Sequence, residues 1–131
     1  MKSIPVGAAG LFSLVVQPEH LASRFKDGSL PPVLATPIMI MMMENAALNA
    51  IKPYLDAGES ALGTRVDVRH LAATPVGRHV TAEARVTHVE GRRIEFAVRA
   101  TDGDDEIGVG THERVVVDLA RLSERLKAKV G

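Results

Sequence analysis

The chain has 131 residues, of which 46% are hydrophobic and 24% charged, a mix typical of one folded domain rather than a disordered chain. Sixteen Lys and Arg balance sixteen Asp and Glu. This balance argues against a nucleic-acid-binding or polybasic membrane-surface protein, because both need an excess of positive charge. The sequence has no Cys, which excludes disulfides, thiolate metal ligands and a Cys nucleophile. We expect a single domain over residues 1–131, located in the cytoplasm.

The first third of the chain contains short elements and a loop. An apolar run over residues 11–16 predicts a strand, and Pro18 begins a helical turn that extends to residue 22. Residues 26–32 (KDGSLPP) combine Gly, Asp, Ser and Pro, which predicts a mobile loop. Residues 1–10 lack the basic start and the apolar stretch of a signal peptide, so we expect none there.

The next segment predicts a long buried helix. Thr36 is expected as the N-cap, Pro37 as the first helical residue, and good helix formers continue to Ile51. Residues 38–43 are all apolar, so the helix has no polar stripe and should be enclosed on most sides. At 1.5 Å per residue the helix spans about 22 Å, less than the ~30 Å core of a membrane, so we interpret it as part of a soluble protein.

Beyond the helix, apolar residues recur with a period of two. This pattern predicts strands over residues 64–70, 80–87, 94–99 and 106–117, followed by a short amphipathic helix over residues 119–129. The short Gly-containing links between the later strands indicate hairpins, and hairpins require antiparallel pairing. One apolar helix and several strands with one apolar face predict an α+β domain in which a curved antiparallel sheet wraps around the helix.

Two polar residues contradict the expected burial. Glu44 is the only charged residue in the predicted helix, and a buried carboxylate needs partners or a proton. His70 shares a predicted strand face with Thr64, Val66 and Val68, the face turned towards the helix. A Glu–His pair in a shielded pocket is suited to general acid–base catalysis. The alternative is that each residue only satisfies a local structural need.

Thr36 and Gly63 are further candidates, each with a structural alternative. The Thr36 hydroxyl lies at a helix N-terminus, where negative charge is favoured, but an N-cap role explains it equally well. Thr36 and Glu44 are eight residues apart, about 12 Å along the helix, so they could flank an elongated substrate rather than touch one atom. Gly63 could offer a backbone N–H to an oxyanion or form a turn or bulge.

Several other features carry weaker signals. Arg92 and Arg93, at a predicted hairpin, could bind a phosphate or remain solvated. Gly108 and Gly110 lie within a strand, where a bulge is the simpler explanation than close approach of a ligand. The remaining histidines show no metal-ligand spacing, so we expect no metal site; they are His20, His79, His88 and His112.

Five segments between residues 33 and 114 resemble hotdog-fold thioesterases of the fluoroacetyl-CoA thioesterase type. They are V-L-A-T-P (33–37), M-E-N-A-A (43–47), I-x-P-Y-L-D (51–56), G-T-R-V-D-V-R-H-L-A-A-T-P (63–75) and G-T-H-E-R (110–114). The resemblance covers about two thirds of the chain. It implies a hotdog fold, a curved five-stranded antiparallel sheet around one long central helix.

The resemblance also implies a function. It assigns a catalytic set to Thr36, Glu44 and His70, with the backbone N–H of Gly63 at the thioester carbonyl. Glu44 would attack the acyl carbon or activate water, while His70 assists proton transfer. The implied protein is a homodimer, possibly a tetramer, with active sites at the subunit interface. It hydrolyses acyl-CoA with no cofactor beyond the CoA of the substrate.

One difference from the resembled proteins concerns specificity. Fluoroacetate-specific members carry aromatic side chains in a lid before the helix, whereas residues 26–34 contain no aromatic residue after Phe25. We therefore expect a small or short-chain acyl-CoA substrate without selectivity for fluoroacetyl. Two alternatives are an enoyl- or hydroxyacyl-CoA hydratase or dehydratase on the same fold, and a non-catalytic acyl-CoA-binding module.

Overall fold

A computed structural model describes residues 1–131 and contains five strands and three helices. They are β1 (Ala9–Val15), α1 (Ala22–Phe25), α2 (Thr36–Ile51), β2 (Glu59–His70), β3 (His79–Glu90), β4 (Arg93–Asp102), β5 (Asp105–Asp118) and α3 (Leu119–Val130). Short 3-10 turns occupy Pro18–His20 and Lys52–Tyr54. The predicted α+β class and every predicted strand are confirmed. The largest boundary difference is in β2, which begins five residues before the predicted start.

The five strands form one antiparallel sheet in the order β1-β3-β4-β5-β2. The tight β3–β4 and β4–β5 connections place Gly91 and Gly103 at φ of +60°, a backbone conformation that glycine adopts without steric cost. Strands β1 and β2 are the sheet edges. The two strands that flank α2 in the sequence therefore lie at opposite margins of the sheet.

Helix α2 packs on the concave side of the sheet and supplies much of the core. Its buried residues are Met39, Met42, Met43, Ala46, Ala47, Ala50 and Ile51. At Gly10 of β1, an added Cβ would overlap the α2 backbone at Ala46 and Ala50, so the strand and helix are in backbone contact there. The chain has few Phe, Tyr and Trp residues, and Phe96 is the one of them among the fully buried side chains. Aliphatic and Met side chains fill the rest of the core.

Helix α2 is enclosed on most of its sides, but one face is only partly covered. Residues of this face are only half-buried in the single chain: Ile38, Met41, Asn45 and Leu48. Their spacing of three and four places them on one side of the helix. The apolar run predicted enclosure, but one copy of the sheet does not cover the whole circumference.

The predicted N-cap is also corrected by one residue. Ala35 is the N-cap, Thr36 is already helical, and no side chain caps this helix end. Pro37 is therefore in the second helical position rather than the first. Pro lacks the N–H that would need a partner in the first turn, so this shift carries no hydrogen-bonding penalty. The Thr36 hydroxyl is free for another contact.

Strand β2 contains a bulge that changes which residues face inward. The pairing with β5 shifts between Gly63 and Arg65, leaving Thr64 as the extra residue. The Thr64 hydroxyl binds Glu113 on the outer face, so its predicted place on the face of Val66 and His70 is wrong. The bulge reverses the alternation, and Gly63 therefore faces inward together with the residues beyond the bulge.

Gly108 and Gly110 are explained by close approach of neighbouring groups. An added Cβ at Gly108 would overlap the Met39 side chain, and one at Gly110 would overlap the backbone of β2 at Asp67 and Val68. A register shift in the β4–β5 pairing lies next to Gly108. The expected irregularity is present, but sterics rather than the bulge require glycine at both positions.

The remaining helices are peripheral. Asp118 caps α3, its carboxylate accepting a hydrogen bond from the Arg121 N–H at 3.0 Å. None of the helices combines the length and hydropathy needed to cross a bilayer.

Candidate active site

The N-terminus of α2 and the end of β2 bring Thr36 and His70 into direct contact. Thr36 Oγ1 lies 2.8 Å from His70 Nδ1, within hydrogen-bond distance. His70 pairs with Gly108 on the face of the sheet that supports α2. A glycine at that position leaves room for Met39 beside the imidazole's strand. The two residues are 34 positions apart in the chain, so only the fold creates this pair.

Thr36 and His70 line a cavity of about 380 Å³. Its other lining residues are mostly apolar and come from α1, the loop before α2 and the segment after β2: Ala22, Lys26, Leu30, Pro31, Val33, Leu34, Leu71, Ala72 and Ala73. This volume lies in the range of small-molecule sites, and an apolar pocket with a few polar groups is the usual composition of such sites.

His70 is prepared to act as a neutral base. Burial lowers the pKa of His70 below its ordinary value of 6.5, and the Ala72 backbone offsets only part of that effect. Its Nε2 atom is buried and has no hydrogen-bond partner within the chain. The imidazole is therefore neutral at pH 7, carries one proton and one lone pair, and contacts a hydroxyl group.

Glu44 does not join this pair within one chain. Its carboxylate faces Arg114, with Oε2 3.9 Å from Nη1, and it makes no hydrogen bond or ion pair with His70. The expected Glu44–His70 contact is thus absent from the single chain. The axial rise of eight helical residues, about 12 Å, explains the separation. The Glu44 side chain is also 38% exposed rather than enclosed.

A second polar cluster surrounds Glu44 and contains Gly63, His112 and Arg114. An added Cβ at Gly63 would lie 2.9 Å from Glu44 Oε2 and 3.3 Å from His112 Cε1, so glycine allows the carboxylate to approach the β2 backbone. The Arg114 guanidinium donates to the Ala61 carbonyl at 2.6 Å and contacts His112 Nε2 at 3.2 Å. Burial lowers the pKa of Arg114, and the nearby Glu44 partly opposes this shift.

His112 and Arg114 are site residues that the sequence did not predict, although both lie in the G-T-H-E-R segment. The available signal was the period-two pattern of the last strand, which places both residues on the face of Gly108 and Gly110. Both are buried, with relative exposures of 1% and 8%. Two buried basic groups on one strand face are unusual enough to indicate a site.

The hairpin arginines lie away from the cavity of their own chain. Arg93 pairs with Val115, seven residues along β5 from the partner of His70, about 23 Å at 3.3 Å per residue. Arg92 contacts Glu59 at 3.2 Å. Arg93 contacts three carboxylates: Glu90, Glu95 and Glu113. Their expected contact with substrate stays a prediction, and phosphate binding would have to replace these ion pairs.

The loop before α2 gives the cavity an aliphatic wall. Leu30, Pro31 and Val33 line the cavity with aliphatic side chains, whereas Phe25 is exposed and does not line it. The structure has no group of three or more His, Cys, Asp or Glu side chains placed to hold a metal ion.

Comparison with known proteins connects this chain to one family. Residues 16–120 match the family described as fluoroacetyl-CoA-specific thioesterase (FlK). The fluoroacetyl-CoA thioesterase of Streptantibioticus cattleyicolor is 48% identical over 99 residues, which cover 76% of this chain and 71% of that protein.

Solved structures give the same relationship. An FlK mutant in complex with fluoroacetate and CoA is 42% identical, with a TM-score of 0.85 and coverage of 90% of this chain and 98% of that one. A hot-dog-like protein from Thermanaerovibrio acidaminovorans is 26% identical, with a TM-score of 0.88 and coverage of 98% and 94%. The predicted hotdog fold is confirmed.

Proposed function

The chain belongs to the fluoroacetyl-CoA-specific thioesterase (FlK) family, and on this basis we propose that it hydrolyses a small or short-chain acyl-CoA. Water adds to the acyl carbon, the C–S bond breaks, and the products are the carboxylic acid and CoA thiol. The contact between Thr36 Oγ1 and the neutral His70 imidazole, at the wall of a mostly apolar cavity, is the observation that carries this proposal. A hydroxyl–imidazole pair can transfer protons at neutral pH.

Thr36, Glu44 and His70 share the chemistry in this proposal. Glu44 attacks the acyl carbon or activates water, and a carboxylate can serve in either role. His70 exchanges the proton, and Thr36 orients the reacting groups through its bond to the imidazole. The Gly63 N–H stabilises the oxyanion that develops on the thioester carbonyl. This donor must lie close to the carboxylate that attacks the acyl carbon or activates water. The close approach of Glu44 to Gly63 supports this assignment.

The proposed enzyme is a homodimer. Strand β2 is a sheet edge, and two of its apolar side chains are well exposed in the single chain, Leu62 by 44% and Val66 by 42%. An unpaired edge with apolar side chains favours association with another chain. The half-buried face of α2 at Ile38, Met41 and Leu48 adds further surface for a second copy to cover.

In this dimer, the Thr36–His70 pair of one subunit acts together with Glu44 of its partner. Two observations support the arrangement: the 12 Å axial separation of Thr36 and Glu44, and the lack of any Glu44–His70 contact within one chain. A two-fold symmetric dimer would contain two such shared sites.

A panel of acyl-CoAs that differ in chain length and polarity tests the activity, with release of free thiol as the readout. We expect turnover of small acyl groups, including acetyl-CoA as well as fluoroacetyl-CoA, because the cavity wall contributed by the loop is aliphatic. Glu44→Ala and His70→Ala should each lower kcat/KM by at least ~10² while the protein stays folded. Unchanged rates in both variants would show that the proposed roles are wrong.

Mixed dimers test whether the site is shared. When Glu44→Ala and His70→Ala chains are unfolded together and refolded, half of the dimers combine both variants. With shared sites, each mixed dimer has one intact site, and the mixture should recover about one quarter of parental activity. Sites built within one chain predict no recovery. Each variant refolded alone is the control.

One incubation distinguishes thioester hydrolysis from the two alternatives, a hydratase or dehydratase and a non-catalytic binding module. Crotonyl-CoA is added, and enoyl absorbance and free thiol are followed together. Loss of enoyl absorbance without thiol release would favour the hydratase. Saturable binding of acyl-CoA without any turnover would favour the binding module. The family relationship favours thiol release.

A further inference from the structure

His112 is the most deeply buried imidazole in the chain, and the proposed chemistry does not use it. It is 1% exposed, lies on β5, and stacks on Phe96 with ring centroids 5.9 Å apart and an interplanar angle of 26°. Stacking and burial explain a flat ring at this position. They do not explain why this ring is an imidazole rather than a phenyl group. Both of its nitrogens have polar partners.

The partners of His112 determine its tautomer. Nδ1 lies 2.8 Å from the Arg65 carbonyl oxygen, which can only accept a hydrogen bond, so Nδ1 carries the proton. Nε2 lies 3.2 Å from Arg114 Nη1, which can only donate, so Nε2 carries the lone pair. Burial also lowers the pKa of His112, which keeps the ring neutral at pH 7.

The Arg114 guanidinium is consequently held from two sides. His112 accepts from Nη1, and the Ala61 carbonyl accepts from Nη2 at 2.6 Å. The carbonyl belongs to the backbone of β2, whereas His112 is the one side chain that bonds the guanidinium. The same Nη1 atom lies 3.9 Å from Glu44 Oε2, beside Gly63.

We propose that His112, as its Nδ1–H tautomer, is a positioning residue that holds the Arg114 guanidinium against Glu44. The chain of contacts runs from the Arg65 carbonyl through the imidazole and the guanidinium to the carboxylate. Its catalytic meaning rests on the proposed function, because Glu44 is the residue placed in the chemistry. A carboxylate that must attack or activate water benefits from a fixed direction.

Two substitutions separate positioning from packing. His112→Phe keeps an aromatic ring against Phe96 but removes the acceptor, and His112→Gln keeps an acceptor near the position of Nε2. Val98→Ala, a truncation of a buried side chain on β4, is the matched control for loss of core stability. Unfolding of all three variants is measured with the kinetics.

The positioning role predicts different kinetics for the two His112 variants. His112→Phe should lower kcat by about 10–10²-fold, the effect of misplacing a reacting group, with KM changed by less than about 3-fold. His112→Gln should restore most of kcat, and Val98→Ala should leave kcat unchanged below its unfolding temperature. If activity in both His112 variants falls only in line with stability, the positioning role is refuted.

NMR decides the inference independently of catalysis. Long-range proton–nitrogen spectra should show one Nδ1–H histidine that disappears in His112→Gln, and slowly exchanging Arg114 Nη protons that vanish in His112→Phe and persist in His112→Gln. An Nε2–H tautomer, or Arg114 signals that ignore the substitution, overturns the inference. If the parent hydrolyses no acyl-CoA, the proposed function fails, and these NMR results still decide the role of His112.

Discussion

Arg114 and Arg93 lie on neighbouring strands of one sheet, on opposite faces, and show how burial changes the role of the same residue type. Arg93 is 41% exposed and contacts three carboxylates at 3.0–3.2 Å. The Arg114 side chain is 10% exposed and has one carboxylate at 3.9 Å, with a neutral imidazole and a carbonyl as its hydrogen-bond partners.

The two environments move the pKa values in opposite directions. Glu113 and Glu90 raise the pKa of Arg93, whereas burial lowers the pKa of Arg114. The outer-face cluster consists of Arg93 and its acidic partners Glu90, Glu95 and Glu113. It is solvated, and its carboxylates outnumber the arginine, as expected of a surface network. The inner-face cluster is short of counter-charge, and the buried Arg114 Nε has no partner. A buried cation with incomplete partners is costly, which favours a functional role over a stabilising one.

The largest difference should appear when one carboxylate of each cluster is neutralised. Glu44→Gln should lower kcat/KM for acyl-CoA hydrolysis by at least ~10², because it removes the nucleophile or base. Glu113→Gln, which changes the outer cluster by the same atoms, should leave kcat/KM within about 2-fold. Thiol-release kinetics measure both, and equal losses would remove the distinction between the faces.

Removing each arginine compares their contributions to stability. Arg114→Met leaves buried acceptors on His112 and Ala61 without a donor, and should lower the free energy of unfolding by about 1–3 kcal/mol. Arg93→Met should cost less than about 1 kcal/mol, since exposed ion pairs contribute little. Urea unfolding measures both. The KM of Arg93→Met also tests the predicted substrate contact, and an unchanged KM would exclude it.

Half-buried His70 and buried His112 predict how stability depends on pH. The folded-state pKa values of His70 and His112 lie below the ordinary 6.5, because burial disfavours imidazolium. Around His112, Arg114 also lowers the pKa, while Glu44 and Glu113 raise it. The unfolded chain therefore binds these protons first as the pH falls. The free energy of unfolding should decrease as the pH drops below about 6.5.

Urea unfolding at pH 7.5, 6.5 and 5.5 measures this dependence. His112→Gln should reduce the slope of the free energy of unfolding against pH, because only His70 of the two histidines then remains. His88→Gln, at an exposed site on β3, controls for the substitution itself. An unaltered slope in His112→Gln would contradict the assigned burial effect.

The smallest expected effect is that of salt on the outer cluster. Raising the salt concentration from 0.05 to about 0.5 M should remove most of the stability difference between parent and Arg93→Met, because exposed charges are screened. The difference for Arg114→Met should persist, since its hydrogen bonds are buried. If salt also removed the stability difference between the parent and Arg114→Met, Arg114 would behave as an exposed charge of the surface network.

The amino-acid sequence by itself determined the elements and the class of fold. Alternating apolar residues require strands with one buried face, and the uninterrupted apolar run before Glu44 requires a largely buried helix, whatever the details of packing. It also identified Glu44 and His70 as unusual, because polar groups in apolar surroundings need a reason, and Thr36 as a candidate through its place at the helix N-terminus.

The tertiary structure decided which of these residues meet. A one-residue bulge at Thr64 leaves no trace in the alternation pattern, yet it turns Gly63 towards Glu44 and Thr64 away. An apolar helix does not specify which of its faces a sheet covers, so the half-open side of α2 and the direction of Glu44 were not predictable. The Thr36–His70 and His112–Arg114 contacts depend on strand register, because a shift by one residue would move each side chain to the opposite face.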